Sequence, residues 1–542
     1  MGTDNRKSNF LVQGSILAAA SIISRLIGLL YRLPLTNIIG DAGIGDYNNA
    51  FQIYNIALIL SSYSLPLSVS KLVAERVGKK EYKNSYKVFI CAISFAFVIG
   101  LLASFIIYFS ADLLADKIFN MPTSAIPLKV LAPNIFVFAV MGVLRGFFQG
   151  NHNMLPTSFS QILEQIVNAV VSIAAAYYLM KAHSASVNIE AYGAAGGTLG
   201  TLIGAITSLL FLGFVFWINK PIIKKKVRRD TISEKESYHE VFVILILTII
   251  PVILSQTVYQ LSSLIDSSLF GHIMDGKGLI LDDRRALLGI YGGKYNLLVN
   301  VPVSIASAMA VAIVPSISSA YKSMAILDIK NKVQQSVKLN MIIAFPCAVG
   351  MGVLASPILQ LLFNDERALP ANLIRLGAIA IVFYSLSTVT NAVLQGINML
   401  RLPVIHSAIS LAIHVVIVYI LLQFFNLSTY GLVIGNVTFA LVVAILNWRA
   451  VAKHLNYKQE INKTFLVPAV CAVIMGIVTY ISYQGIYSLI TINSISTLAA
   501  IFLSAIIYFV LLLLFKGITE AELYGMPKGR TLVRIAKKLH LL

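Results

Sequence analysis

Charge is scarce in this chain: 12% of its 542 residues are charged and only 23 are acidic, while 58% are hydrophobic. An ordinary soluble domain carries about 25% charged residues, so a mainly soluble architecture is excluded. Cysteine is scarce too. Cys91, Cys347 and Cys471 each fall in an apolar run without metal-ligand spacing, which removes a disulfide framework and a zinc site and leaves packing roles. Catalytic motifs are missing: there is no glycine-rich loop ending in Lys-Ser or Lys-Thr, no His-Glu-x-x-His and no Gly-x-Ser-x-Gly. An ATP-driven pump or a membrane hydrolase therefore lacks its machinery here. No organic cofactor or metal is expected, and any uphill work must draw on a coupling cation such as Na+ or H+, on the membrane potential, or on consumption of substrate at the far side.

Apolar runs of about 20 residues, the length that crosses a bilayer, recur almost throughout. They predict an all-α polytopic membrane protein with fourteen spans, the first over 11–36 and the last over 495–515. Residues 1–9 are polar, and the apolar run behind them is too long for a signal-peptide core, so it is read as a retained first span. With the N-terminus inside, 31 of the 42 Lys and Arg fall in cytoplasmic loops and tails, 9 outside and 2 in the first span. The positive-inside rule favours that orientation, with both termini cytoplasmic. The net charge of +19 is thereby a matter of topology, and a nucleic-acid partner is not expected. The richest loop, Lys220 to Lys235, is read as a solvated orientation signal or a segment resting on anionic lipid heads.

That basic connection separates two sets of six spans that resemble each other. Gln149-Gly150 before Pro156 is echoed by Gln395-Gly396 before Pro403, Phe119-Asn120 by Phe363-Asn364, Tyr47-Asn48 by Tyr295-Asn296, and Tyr192-Gly193 by Tyr430-Gly431. Four echoes in one order imply a duplication. Six being even, the repeat is parallel, and such repeats place a substrate path between the halves and alternate access by rocking. The expected organisation is an N-lobe at 1–218, a basic linker at 219–240, a C-lobe at 241–455, and two extra spans with a basic amphipathic tail at 456–542.

Arg25 and Arg32 lie inside the first apolar run. A guanidinium at the bilayer centre costs about 2.5–3.5 kcal/mol on insertion scales, and such residues face a bundle interior or a watery cavity. Seven residues at about 100° each return Arg32 to within about 20° of Arg25, so both share one face. Asp46, at the outer start of span two, stands where it could pair with one of them, and Lys294 occupies the matching mouth of span eight. Ser160, Gln161, Glu164 and Asn168 form a polar stripe in span five. Glu164 is a site for a coupling cation or proton, or else the neutralising partner of an arginine. Gln256, Gln260 and Ser263 share a face above Asp266 in span seven. His406 and His414 in span eleven are read as hydrogen-bonded core residues ahead of a proton relay. Two in-stripe arginines and a lysine suit an anionic substrate, and arginine's planar fork suits phosphate. A multidrug or cation antiporter fits this lining less well.

The span plan of six, six and two, Ser24-Arg25-Leu26-Ile27-Gly28 with Arg32, Gly45-Asp46, the Gln260 to Asp266 stretch and the basic residue opening span eight resemble the MurJ family. These are the lipid II flippases of the multidrug/oligosaccharidyl-lipid/polysaccharide exporter superfamily, and the likeness is greatest to the Gram-positive YtgP/SpoVB-type branch. The resemblance implies a monomeric flippase of the bacterial cell membrane serving peptidoglycan synthesis and cell shape. Lipid II or a similar polyprenyl-diphosphate oligosaccharide would be its substrate. It also implies substrate contacts at Arg25, Arg32, Asp46 and Lys294, and a tail groove formed by the two extra spans. Flipping of another lipid-linked oligosaccharide stands as the alternative.

Overall fold

The computed structural model describes residues 16–17, 19–62, 64–231, 236–524 and 529–538. These are helical and turn segments, with no β-strand among the described residues. Residues 1–15, where the polar N-terminus and the start of the first span fall, lie outside them.

The helices are named in chain order. The first unit comprises α1 (residues 19–30), α2 (Arg32–Ser61), α3 (Leu65–Gly78), α4 (Tyr82–Phe119), α5 (Ala125–Gly150), α6 (Leu155–Ala182), α7 (Ile189–Arg229), α8 (Tyr238–Gly276) and α9 (Leu281–Gly289). The second comprises α10 (Leu297–Lys322), α11 (Ile326–Val353), α12 (Ala355–Phe363), α13 (Ala368–Gly377), α14 (Ala380–Gly396), α15 (Arg401–Gln423), α16 (Ser428–Leu455), α17 (Val467–Ile490), α18 (Asn493–Leu514), α19 (Glu520–Tyr524) and α20 (Gly529–Lys538).

Eleven described helical runs are long and apolar enough to cross a membrane, or twelve if α13 and α14, bent by 41°, make one span. This is lower than the expected fourteen. The run Ala19–Gly78 contains two expected spans, and α8 contributes only Tyr238–Ile250 as a shorter apolar helix. Within that first run the helix is broken at Gly40, whose φ of 71° and ψ of 177° are accessible to glycine at little cost. Before the break the helix is continuous: Tyr31 donates to the Ile27 carbonyl and Leu35 to the Tyr31 carbonyl, each at 3.1 Å. The shared face expected for Arg25 and Arg32 therefore rests on real helical register.

The compact units divide at Gly293 and Lys294, not at the basic linker. The reason is packing: α8 lies against α4, and α9 against α2, so both belong with the N-terminal helices. Nor is the linker a loop at its start, since α7 runs on as helix to Arg229. The core of the first unit is built from Leu65, Val69 and Val73 of α3, Phe89 of α4, Phe147 of α5, Leu212 of α7 and Leu245 of α8. Against α6, α7 presents Gly196, Gly200 and Gly204 one turn apart. A Cβ at Gly200 would collide with Ser172, and one at Gly204 would sit 2.6 Å from the Glu164 carbonyl, so these glycines permit the close approach. In the second unit Cys471, Met475, Leu512, Leu523 and Val533 form one cluster with Ile342. The amphipathic tail is thus docked through Val533, not free on a surface.

Three matched turns support the duplication. Asn120 and Asn364 both cap their helices in the left-handed region, at φ 53° and 50°, and the residue after each donates to a carbonyl six back. Lys80 and Met324, and His152 and Asn398, repeat the correspondence with φ between 53° and 65°.

Candidate intramembrane charge site

Burying a cation unpaired in a low-dielectric interior is costly, so such cations pair with carboxylates. Six Lys and Arg are buried among the described residues, and each has a carboxylate. Arg76 pairs with Glu236 at 2.9 Å, Arg145 with Glu164 at 2.7 Å, Arg284 with Asp275 at 2.8 Å, and Arg285 with Asp46 at 2.7 Å. Lys294 pairs with Asp365 at 2.6 Å and Lys338 with Glu522 at 2.8 Å.

Arg25 and Arg32 depart from this pattern, having no carboxylate within 4 Å among the described residues. Arg25 is exposed on α1, and Arg32 is half-buried with its guanidinium carbon 5.8 Å from the centre of the Tyr47 ring. Tyr47 is fixed in turn: its hydroxyl is 3.0 Å from that of Tyr31, to which Asn168 of α6 donates at 3.4 Å. Asn168 accepts from Ser172 at 2.9 Å. The α1 helix is also tied to α6 by Ser21 donating to Gln161 Oε1 at 3.2 Å. Thus Gln161 and Asn168 hold the helix that carries the arginines, and a cation–π contact keeps Arg32 in place without neutralising it.

Asp46 does not pair with a first-span arginine. Its side chain is fully buried, Oδ1 accepting from Thr123 and Ser124 at 2.8 Å each, and Oδ2 from Arg285 Nε at 2.9 Å. Both oxygens are occupied by protein donors. Arg285 also reaches Asp282 at 2.6 Å and Glu190 at 3.6 Å. Beside it, Arg284 donates to the carbonyls of Gly271 and Asn120 at 3.0 and 3.3 Å. Neither arginine stands out in the sequence, where both precede the apolar run of span eight. The signal was present: Asp282 and Asp283 open a helix whose positive N-terminal end favours acidic residues.

Glu164 neutralises an arginine, but that arginine is Arg145, which also donates to Ser160 and Ser208 at 3.0 Å each. Arg145 lies inside the fourth apolar run of the sequence. Its place near the end of a span, one turn beyond Met141 and Gly142, was the overlooked signal. Asp266 is buried on α8 and Gln260 half-buried, its carbonyl accepting from Ser263 at 3.3 Å. The side chain of Gln256 lies outside the described residues. His406 and His414 are hydrogen-bonded core residues, to Asn447 Oδ1 at 2.7 Å and to the Gly435 carbonyl at 2.8 Å.

Lys294 belongs to the second unit. Asp365, in the turn after α12, also accepts from Arg367 Nε at 2.8 Å. Burial pushes the Asp365 carboxyl up, but hydrogen bonds from Arg367 and Lys294 outweigh it and hold the group well below the usual carboxylate range. A depressed folded value means stability that is present above the unfolded pKa of about 3.9 and lost only as pH falls through the lower folded value. The melting-temperature gap between wild type and Asp365→Asn is therefore expected to be full at pH 7, to persist to about pH 4, and to shrink below it. A gap that closes between pH 7 and 5 would refute the pairing.

The chain belongs to the polysaccharide biosynthesis protein family, whose profile matches residues 11–321, and the MatE profile matches residues 251–420. It is 26% identical over 534 residues to Stage V sporulation protein B of Bacillus subtilis strain 168, covering 97% of this chain and all of that one. It is also 26% identical over 502 residues to the Lipid II flippase MurJ of the same organism, covering 88% and 91% of the two chains. A solved structure described as Lipid II flippase MurJ, inward closed conformation, shares the fold with a TM-score of 0.70 at 14% identity, over 92% of this chain and 98% of that one. The resemblance to the MurJ family read from the sequence agrees with these matches, at the level of the polysaccharide biosynthesis protein family and of a shared fold.

Proposed function

We propose that this protein is a flippase that carries a polyprenyl-diphosphate-linked sugar, in the first instance the peptidoglycan precursor lipid II, from the inner to the outer leaflet of the cell membrane by alternating access. The observation that carries this reading is the contrast above: among the described residues, six buried cations each have a carboxylate, and the two arginines on the face of the first span have none within 4 Å. A pair of unneutralised guanidiniums about 10 Å apart along one helix is a receptor for an extended anion such as a diphosphate, to which arginine donates paired hydrogen bonds. The sugar and diphosphate cross with the protein while the polyprenyl tail stays in lipid. Asp46 and Lys294 act at one remove, Asp46 by tying α2 just past its break at Gly40 to α9, and Lys294 by tying the segment before α10 to the turn after α12. A coupling cation or the membrane potential resets the cycle.

The test is depletion in a cell with no second flippase, with outer-leaflet lipid II read by an impermeant label. Accumulation of lipid II in the inner leaflet is expected, and normal labelling would overturn the substrate assignment. A second reading, a flippase for another lipid-linked oligosaccharide, is favoured by the family's description as polysaccharide biosynthesis proteins. It predicts normal lipid II labelling with loss of a different surface glycan.

A further inference from the structure

The cationic end of α7 is longer and better organised than an orientation signal needs. From Lys220 to Arg229 the chain stays helical and carries six cations, Lys220, Lys224, Lys225, Lys226, Arg228 and Arg229, all exposed. At about 100° per residue, Lys224 and Arg228 lie about 40° and 80° around the helix from Lys220, and Lys225 and Arg229 about 140° and 180°. The remaining cation, Lys226, falls near 240°, beside Ile223 near 300°.

Those two angles mark the side turned to the protein. Lys226 stands 5.7 Å from the Tyr82 ring, and Ile223 packs against the core of the first unit. Five cations thus occupy the opposite half of the circumference. Among the described residues, the carboxylates that follow in sequence are engaged elsewhere: Asp230 accepts from the Lys83 amide at 2.7 Å, and Glu236 from Arg76 at 2.9 Å. None of the five has a carboxylate within 4 Å among the described residues.

Toward the membrane, the same outward face changes character within one turn. Phe214, Trp217 and Ile218 lie on it at 57%, 68% and 53% exposure. Tryptophan gathers where hydrocarbon meets headgroups, and lysines just beyond it are attracted to anionic lipid. From Trp217 to Lys224 is about 10 Å of helix rise, which matches the passage from the hydrocarbon edge into the phosphate layer.

We propose that the outward face of α7 from Lys220 to Arg229 is a binding platform for the phosphate headgroups of anionic phospholipids in the leaflet at which the basic loops lie. A helix continuous with a membrane span sets the height of the five cations, and among the described residues no carboxylate within 4 Å competes with lipid for their charge. The platform is independent of the flippase reading, because lipid retention is measured without translocation.

The test uses the full-length protein in detergent, mixed with equal amounts of phosphatidylglycerol and phosphatidylcholine, with retained lipids counted by native mass spectrometry. Wild type is expected to keep phosphatidylglycerol in preference, and the variant K220Q/K224Q/K225Q/R228Q/R229Q to lose that preference by about fivefold or more. Glutamine keeps helix propensity, and Trp217→Ala, which removes no charge, should keep the preference. As a readout that needs no variant, the wild-type preference should fall as salt rises from about 50 to 500 mM, where screening shortens to a few ångströms. Unchanged preference in the glutamine variant, or salt-independent preference in wild type, overturns the proposal. Displacement of phosphatidylglycerol by millimolar inorganic phosphate, or by a short oligonucleotide, also overturns it, by assigning the face to a free anion or a nucleic acid.

Discussion

Changing Arg25 and Arg32 together to alanine is expected to abolish rescue of a flippase-depleted cell while leaving the purified protein folded. A hydrogen bond to a charged group contributes about 1.5–3 kcal/mol, so loss of both cations should weaken headgroup binding by at least about 100-fold. Folding should be spared, because neither guanidinium has a carboxylate to orphan among the described residues. The single changes should differ. Arg25 is exposed and Arg32 rests on Tyr47, so Arg25→Ala is expected to remove transport alone, whereas Arg32→Ala also frees the Tyr31–Tyr47 pair. Arg25→Lys should retain part of the activity, since lysine supplies the charge without the planar fork. Full rescue by the double alanine variant would refute the site.

Breaking the Asp46–Arg285 pair should have the opposite signature, a loss of stability. Removing one member of a buried ion pair costs about 3–5 kcal/mol, because the other is left charged and desolvated. Asp46→Leu strands the Arg285 guanidinium, whose other partners are the largely exposed Asp282 and the more distant, half-buried Glu190. Arg285→Met leaves Asp46 with only the hydroxyls of Thr123 and Ser124. Each single change should lower the melting temperature by at least about 5 °C. The double change should recover most of the loss, as replacing a whole buried pair by apolar side chains is often neutral. If Asp46 instead contacts substrate, Asp46→Leu will melt like wild type and still fail to support transport.

The contrast between these sites explains how far the sequence could be read. Arg25 and Arg32 stood out because charge inside an apolar run is rare, and because seven residues of helix fix their shared face whatever the neighbours do. Glu164 was legible only as a carboxylate that needed an explanation; the identity of its partner depended on α5 crossing α6 where Arg145 meets it. Arg285 was missed because its partner is 239 residues away, and periodicity carries no information over that distance.

From the sequence alone came the membrane class, the duplication, the family resemblance and the two arginines on one helical face. Each of these rests on composition or on local helical period, which the chain imposes by itself. The tertiary structure decided which charges are satisfied. It gave Asp46 to Arg285, Glu164 to Arg145 and Lys294 to Asp365, and among the described residues it left Arg25 and Arg32 without a carboxylate. Ion pairing falls off within a few ångströms, and only the packing of distant helices brings charges that close.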